Sequence, residues 1–203
     1  MSIKVVIFDN DGVLIKEVEM FSTRLIKERN LDKRQVDRFF KEIFVPLCSI
    51  GKADLREELE KVLPLWGIDD DVDSILKYWF ECENNVDKNI KDLILRFREK
   101  GIKCYLATNH EKYRVDYMIK YWGFGQLFDG IFSSGYLGVK KPEEEFYKKV
   151  YSQISKEKIN KNEILYIDDE EKNIIAGKRF GFNGFLYKNF DELKIELKKL
   201  QLI

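Results

Sequence analysis

The sequence predicts an α/β protein: a parallel sheet between two layers of helices, with a small all-helical domain inserted after the first strand. Three observations predict it. Residues 3–8 form a short β-branched apolar run, the texture of a strand buried on both faces. Residues 16–85 carry helical spacing of apolar positions and no strand pattern. From residue 86 onward helices alternate with short apolar strands, the arrangement that builds a parallel sheet. Residues 1–15 and 86–203 are therefore assigned to one core domain and residues 16–85 to the helical insertion.

Each element has its own signal. In the insertion, Val18, Phe21 and Leu25 lie at helical spacing. Asp32 with Gln35 reads as a capping box ahead of Val36, Phe39, Phe40 and Ile43. Leu55, Leu59 and Leu63 continue the period until Pro64, with Gly67 beyond. Asp69, Asp70 and Asp71 put negative charge at the start of a helix bearing Val72, Ile75, Leu76 and Trp79, where the helix dipole favours it. Phe39, Phe40, Trp79 and Phe80 fit the core of this bundle by their spacing. After Asn85, a helix over Ile90, Leu93, Ile94 and Phe97 ends at Gly101. Strands follow at residues 102–107, 130–132, 164–167 and 184–187, separated by helices through Met118, after Pro142 and up to Phe180. A last helix closes the chain.

Composition bounds what such a fold can be for. Hydrophobic residues make up 44% and aromatics 14% of 203 residues, which excludes disorder over most of the length. Charged residues reach 35%, yet the two signs balance at 36 each. A balanced chain presents no overall field for nucleic acid or an anionic membrane, and neither is expected as a partner. No apolar run approaches the roughly 18 residues of a membrane span, and the opening apolar stretch is too short for a secretion signal. The 3 cysteines, Cys48, Cys82 and Cys104, form no metal-binding or disulfide pattern. A cytoplasmic protein is expected, and its oligomeric state is not legible.

Ligands of open α/β sheets sit beyond the carboxyl ends of the strands. Reading those ends in turn gives Asp9-Asn10-Asp11-Gly12-Val13, Thr108-Asn109, the loop Lys140-Lys141-Pro142, and Asp168-Asp169. Carboxylates gathered in one pocket repel unless a cation joins them. Oxygen donors without His or Cys suit a hard ion, Mg²⁺ first of all. A lysine and a hydroxyl beside them would stabilise charge on a transferring phosphoryl group. Asp9 and Asp11 point to the same side of an extended chain, so one carboxylate could attack while the other protonates the leaving oxygen.

At these residues the sequence resembles the haloacid dehalogenase superfamily, a Rossmann-like fold, and within it the phosphatases with a small helical cap of the first type. The resemblance rests on D-x-D-G-[TV] as Asp9 to Val13, a Ser or Thr ending an apolar strand as Thr108, a lysine before proline as Lys141-Pro142, and paired acids as Asp168-Asp169. The four occur in the family's order over nearly the whole chain, with the helical insertion where this cap belongs. The resemblance implies Asp9 as nucleophile and Asp11 as general acid and base. It implies phosphate binding by Thr108 and Asn109, and charge balance by Lys141. Magnesium would be held by Asp9, Asp169 and the backbone carbonyl of Asp11, with Asp168 in support. His110, which follows Thr108-Asn109, and Lys52, in a loop joining two cap helices, are candidate substrate contacts. The implied activity is hydrolysis of a small organic phosphomonoester, of the sugar phosphate or nucleotide class. A phosphomutase of the beta-phosphoglucomutase type and a regulatory protein with little turnover are the alternatives that share these residues.

Overall fold

A computed structural model of the chain describes residues 2–16 and 18–203; Met1 and Glu17, inside the spans assigned to the core and the insertion, lie outside the described residues. Strand β1 (Val5–Phe8) is buried along its whole length. The chain then forms α1 (Phe21–Arg29), α2 (Lys33–Phe39), α3 (Leu55–Val62) and α4 (Val72–Cys82). Three of these helices start on an aspartate whose carboxylate accepts from amides that lack an intrahelical partner. Asp32 takes the Arg34 amide, Asp54 those of Arg56 and Glu57, and Asp71 that of Ser74. The expected capping box at Asp32 is thus made from the aspartate side, two residues on rather than three. α2 runs directly into a π-helical turn, Phe40–Phe44.

α1 departs from expectation at its start. Val18 keeps helical spacing with Phe21 and Leu25 but lies before the helix. The Phe21 amide is instead capped from a distance by the Glu83 carboxylate, just beyond α4, at 2.8 Å. These four helices close on a hydrophobic cluster that includes Phe21, Leu25, Val36, Phe39, Leu55, Leu59, Trp79 and Phe80. Phe21 stacks on Trp79 with ring centroids 4.8 Å apart, so the aromatic set serves packing.

After the insertion come α5 (Lys88–Glu99), β2 (Lys103–Thr108), α6 (Lys112–Tyr121), α7 (Phe124–Leu127), β3 (Gly130–Ser133) and α8 (Ser134–Leu137). They are followed by α9 (Glu144–Ile154), β4 (Ile164–Asp168), α10 (Glu171–Phe180), β5 (Asn183–Leu186) and α11 (Phe190–Lys199). The five strands pair in parallel in the order β3-β2-β1-β4-β5. Successive strand residues face opposite layers. Val6, Phe8, Leu106 and Ile167 meet α5, α6, α7 and α11 on one face. Val5, Ile7, Tyr105 and Tyr166 meet α9 and α10 on the other. The result is the expected three-layer α/β sandwich with β1 at its centre.

Register decides what gathers at the sheet's carboxyl edge. Phe8 stands beside Leu106 of β2 and Ile167 of β4. One residue further along, Asp9 therefore falls in line with Asp168, and its amide donates to the Ile167 carbonyl at 2.8 Å. Thr108 ends β2 one step beyond. The helical insertion lies over this same edge. It is seated there by Ser134 Oγ donating to the Ser49 carbonyl at 2.5 Å, and by Lys112 Nζ on Asp54 at 2.8 Å. Among the described residues, no helix is long and apolar enough to cross a membrane.

Candidate active site

Three strand ends and one loop place Asp9, Asp11, Gly12, Thr108, Asn109, Lys141, Asp169, Glu170 and Asn173 around a single cavity of about 310 Å³. Asp9, Asp11, Thr108, Asn109, Lys141 and Asp169 line it as expected, whereas Asp168, expected in support of the metal, does not. Glu170 and Asn173 come with them because α10 starts at Glu171 and presents its first turn to the edge.

Lys141 is the buried centre. Its Nζ donates to Asp9 Oδ1 at 2.7 Å and to Asp168 Oδ2 at 2.8 Å, with the lysine side chain 1% exposed. Its loop is clasped by Asn109, whose Oδ1 accepts from the Lys141 amide at 2.9 Å and whose Nδ2 donates to the Lys141 carbonyl at 3.1 Å. That clasp commits the Asn109 side chain to the protein. Any bond from Asn109 to a phosphate oxygen falls to its backbone amide. Neither Thr108 nor Asn109 caps the helix that follows, since α6 is capped by Glu111.

Asp9 receives Lys141 and the Asn10 amide, at 2.6 Å, on the same oxygen, Oδ1. Oδ2 takes neither. Burial pushes the Asp9 carboxyl well above the ordinary carboxylate range, against the pull of Lys141, and the nearby charges of Asp168 and Asp11 add to the rise. Asp168 is fully buried and also accepts from Tyr166 Oη, Asn173 Nδ2 and the Glu170 amide. Burial opposes its charge, but Lys141 and these donors together hold its carboxyl below the usual range. Asp169 differs: it is exposed, and partial burial followed by the Asp168 charge raises it.

Asp11 reaches outward from the same loop. Its Oδ2 meets His110 Nε2 at 2.9 Å and its Oδ1 lies 3.9 Å from an Arg114 guanidinium nitrogen. Enclosure works against its charge, yet His110 and then Arg114 hold the carboxyl well below the usual range. His110 is thus brought to the site through Asp11. Lys52 is not: it lines a separate hollow with Asp54, Lys112 and Tyr113, because its loop packs against α8. Arg114 is a site residue that the sequence analysis missed.

Oxygen atoms of Asp9, Asp168 and Asp169 lie within 4.8 Å of one another. One buried ammonium against three carboxylates leaves an excess of negative charge, which a divalent cation would relieve. Gly12 shows that the space is shaped for Asp169. Its φ is +75°, and a Cβ there would fall 2.0 Å from Asp169 Oδ2. The donor set is all oxygen, so the residues present fit Mg²⁺. Gly12→Ala is expected to displace the Asp169 carboxylate and to raise the Mg²⁺ needed for half-maximal turnover about tenfold or more, the usual cost of moving a ligand's support. Magnesium titration of the rate checks it; an unchanged midpoint would remove Asp169 as a ligand.

Comparison with known proteins identifies the family and the fold. The description "haloacid dehalogenase-like hydrolase" matches residues 3–181. The sesquiterpene phosphatase astK of Aspergillus oryzae is 30% identical over 120 residues, and the match covers 56% of this chain and 57% of that protein. The chain thus spans a little over half the length of that relative. D-ribitol-5-phosphate phosphatase of Bacteroides thetaiotaomicron is 26% identical over 213 residues, covering 96% of this chain and 97% of that protein. A haloacid dehalogenase family enzyme from the same bacterium, crystallised with magnesium and inorganic phosphate, superposes with a TM-score of 0.78 at 21% identity, covering 95% of this chain and 99% of that one. That likeness establishes the fold. With the family description spanning both the first apolar strand and the paired acids after the fourth, the chain belongs to the haloacid dehalogenase-like hydrolases.

Proposed function

We propose that the chain is a magnesium-dependent phosphatase that hydrolyses a small organic phosphomonoester through an aspartyl-phosphate on Asp9. The observation that carries the proposal is the meeting of Asp9, Asp11, Thr108, Lys141 and Asp169 on one cavity. Asp9 Oδ2 attacks phosphorus in line with the leaving oxygen; the Asp9–phosphorus bond forms as the ester bond breaks. Asp11 gives its proton to the departing alkoxide. It is held ionised here, and the approach of an anionic phosphate favours its protonated form. In the second step Asp11 takes a proton from water, whose oxygen attacks phosphorus and releases Asp9 and inorganic phosphate. The Thr108 hydroxyl, the Asn109 backbone amide and Lys141 Nζ engage the phosphoryl oxygens. Asp9, Asp169 and the Asp11 backbone carbonyl would hold Mg²⁺, with Asp168 in support. When bound, the ion supplies positive charge beside the phosphoryl oxygens.

Residues 16–85 act as a cap that excludes bulk water over the site. A second cavity of about 260 Å³, sharing Asp11 and Gly12 with the first, is lined by Ile15, Lys16, Val18, Met20 and Glu83. We place the leaving group there. The expected class is a sugar phosphate or a nucleotide, whereas the walls of Ile15, Val18 and Met20 favour a leaving group whose first carbons are apolar. The names of the two phosphatase relatives span that choice, one a sesquiterpene and one a polyol phosphatase.

The test is turnover of p-nitrophenyl phosphate with Mg²⁺ against the same assay in EDTA, followed by a panel holding a prenyl monophosphate and ribitol 5-phosphate. Turnover is expected with Mg²⁺ and loss of it in EDTA. Equal rates in both would overturn the metal assignment, and no turnover of any phosphate would overturn the activity. A bisphosphorylated sugar in the panel separates hydrolysis from mutase chemistry by its product.

A further inference from the structure

We propose that Arg114 is the positioning residue for the acid–base carboxylate Asp11, and that Glu83 of the helical insertion sets Arg114 in the place where it does this. The inference rests on the phosphatase reading above. Arg114 lies on the inward side of α6 and is 4% exposed, an expensive setting for a side chain that stays charged. Its anions are Glu83, paired through Nη1, and Asp11 Oδ1, 3.9 Å from Nη2. One planar guanidinium therefore faces both carboxylates, while its Nε is buried with no hydrogen-bond partner among the described residues. The rings of Phe80 and Trp122, 6.0 and 5.8 Å from its central carbon, limit where that plane can turn.

Glu83 in turn belongs to the insertion on two sides. Its Oε1 accepts from the Phe21 amide that opens α1, at 2.8 Å, and its Oε2 from Trp79 Nε1 of α4, at 3.2 Å. A line of polar contacts thus runs from the first and last helices of the insertion through Glu83 and Arg114 to Asp11. The Asp11 side chain is 59% exposed. Without Arg114 it would be held by His110 and Asn10 alone and could turn to solvent. The seating of the insertion then decides whether the acid stands where the leaving oxygen is.

A merely structural ion pair and a positioning one differ in which substrates suffer when it is broken. Protonation by Asp11 matters most for leaving groups that are poor anions, and kcat/KM reports only the steps through departure of that group. The experiment measures kcat/KM over substituted phenyl phosphates, from p-nitrophenyl to p-methoxyphenyl, for the unaltered chain and for Arg114→Met, Arg114→Lys and Glu83→Gln, with thermal unfolding of each. In Arg114→Met the p-methoxyphenyl ester is expected to lose about thirtyfold and the p-nitrophenyl ester about threefold, since general acid catalysis is worth about 10²–10⁴ in all. Glu83→Gln is expected to show the same tilt in smaller degree, and Arg114→Lys to restore part of it. If Arg114→Met does not fold, the two conservative variants carry the test. A uniform loss across the series in folded variants, or no loss, overturns the proposal. No turnover by the unaltered chain overturns the phosphatase reading and this one with it.

Discussion

Asp9→Asn is expected to fold normally and to lose p-nitrophenyl phosphate turnover by about 10⁴-fold or more, the scale on which removing a covalent nucleophile acts. The replacement keeps the shape of the side chain, and its amide oxygen still accepts from Lys141 and from the Asn10 amide, both of which now engage Oδ1. What disappears is the second carboxylate oxygen, which takes neither contact, on a residue that lines the cavity. Stability moves the other way. Burial raises the Asp9 carboxyl well above its ordinary value. A carboxyl raised in the folded state favours folding fully below its unfolded pKa of about 3.9, and that benefit is lost as pH rises through the folded value. At neutral pH a carboxyl in this place is thus a cost, which a neutral amide removes. Unfolding of Asp9→Asn should therefore need as much urea as the unaltered chain, or more. Retained turnover in a folded Asn variant would remove Asp9 from the nucleophile's place; lost stability would show that its charge supports the fold.

Much of this site was legible because strand ends are short-range features of sequence. The run Val5 to Phe8 is buried in full, and parallel register then carries Asp9, Thr108 and the Asp168-Asp169 pair to one edge with little freedom. The aspartates ahead of α2 and α4 were legible for a similar reason, since a cap and the amides it serves are two or three residues apart. What was missed depends on contacts across the fold. Arg114, in α6, and Glu83, just beyond α4, are 31 residues apart, and neither carries a pattern that marks a site. The same Glu83, capping Phe21 from beyond α4, is why Val18 has the helix spacing but not the helix. Asn109 reaches the cavity as expected, yet its side-chain amide closes on the Lys141 backbone, a pairing over 32 residues. Lys52 shows the converse error: a basic residue in a cap loop read as facing the site, while the close approach of Gly51 to Gly135 turns that loop to α8.

Lys141→Met is expected to lose activity by about 10³-fold or more, and unlike Asp9→Asn it should also weaken the fold. The lysine lies between Asp9 and Asp168, its Nζ 2.7 and 2.8 Å from their oxygens, with its side chain almost wholly buried. Methionine fills the same volume without charge and leaves two buried carboxylates facing each other. Breaking a buried pair in this way costs about 3–5 kcal/mol. The pH dependence identifies the cause. Although burial opposes its charge, Lys141 and its other donors hold the Asp168 carboxyl below the usual range. A depressed carboxyl contributes stability above its unfolded pKa of about 3.9 and loses it only as pH falls through the folded value. Without the lysine both carboxyls are raised, so each favours folding in acid and opposes it as pH rises toward neutrality. The gap in urea stability between the variant and the unaltered chain should accordingly be small at pH 4 and widen to pH 8. Mg²⁺ should narrow it at the upper end, because the ion is a cation that the same carboxylates can accept in place of the lysine. A gap that stays constant from pH 4 to pH 8 would mean that Lys141 supports the fold through its packing, and that its charge does not decide the state of Asp9 and Asp168.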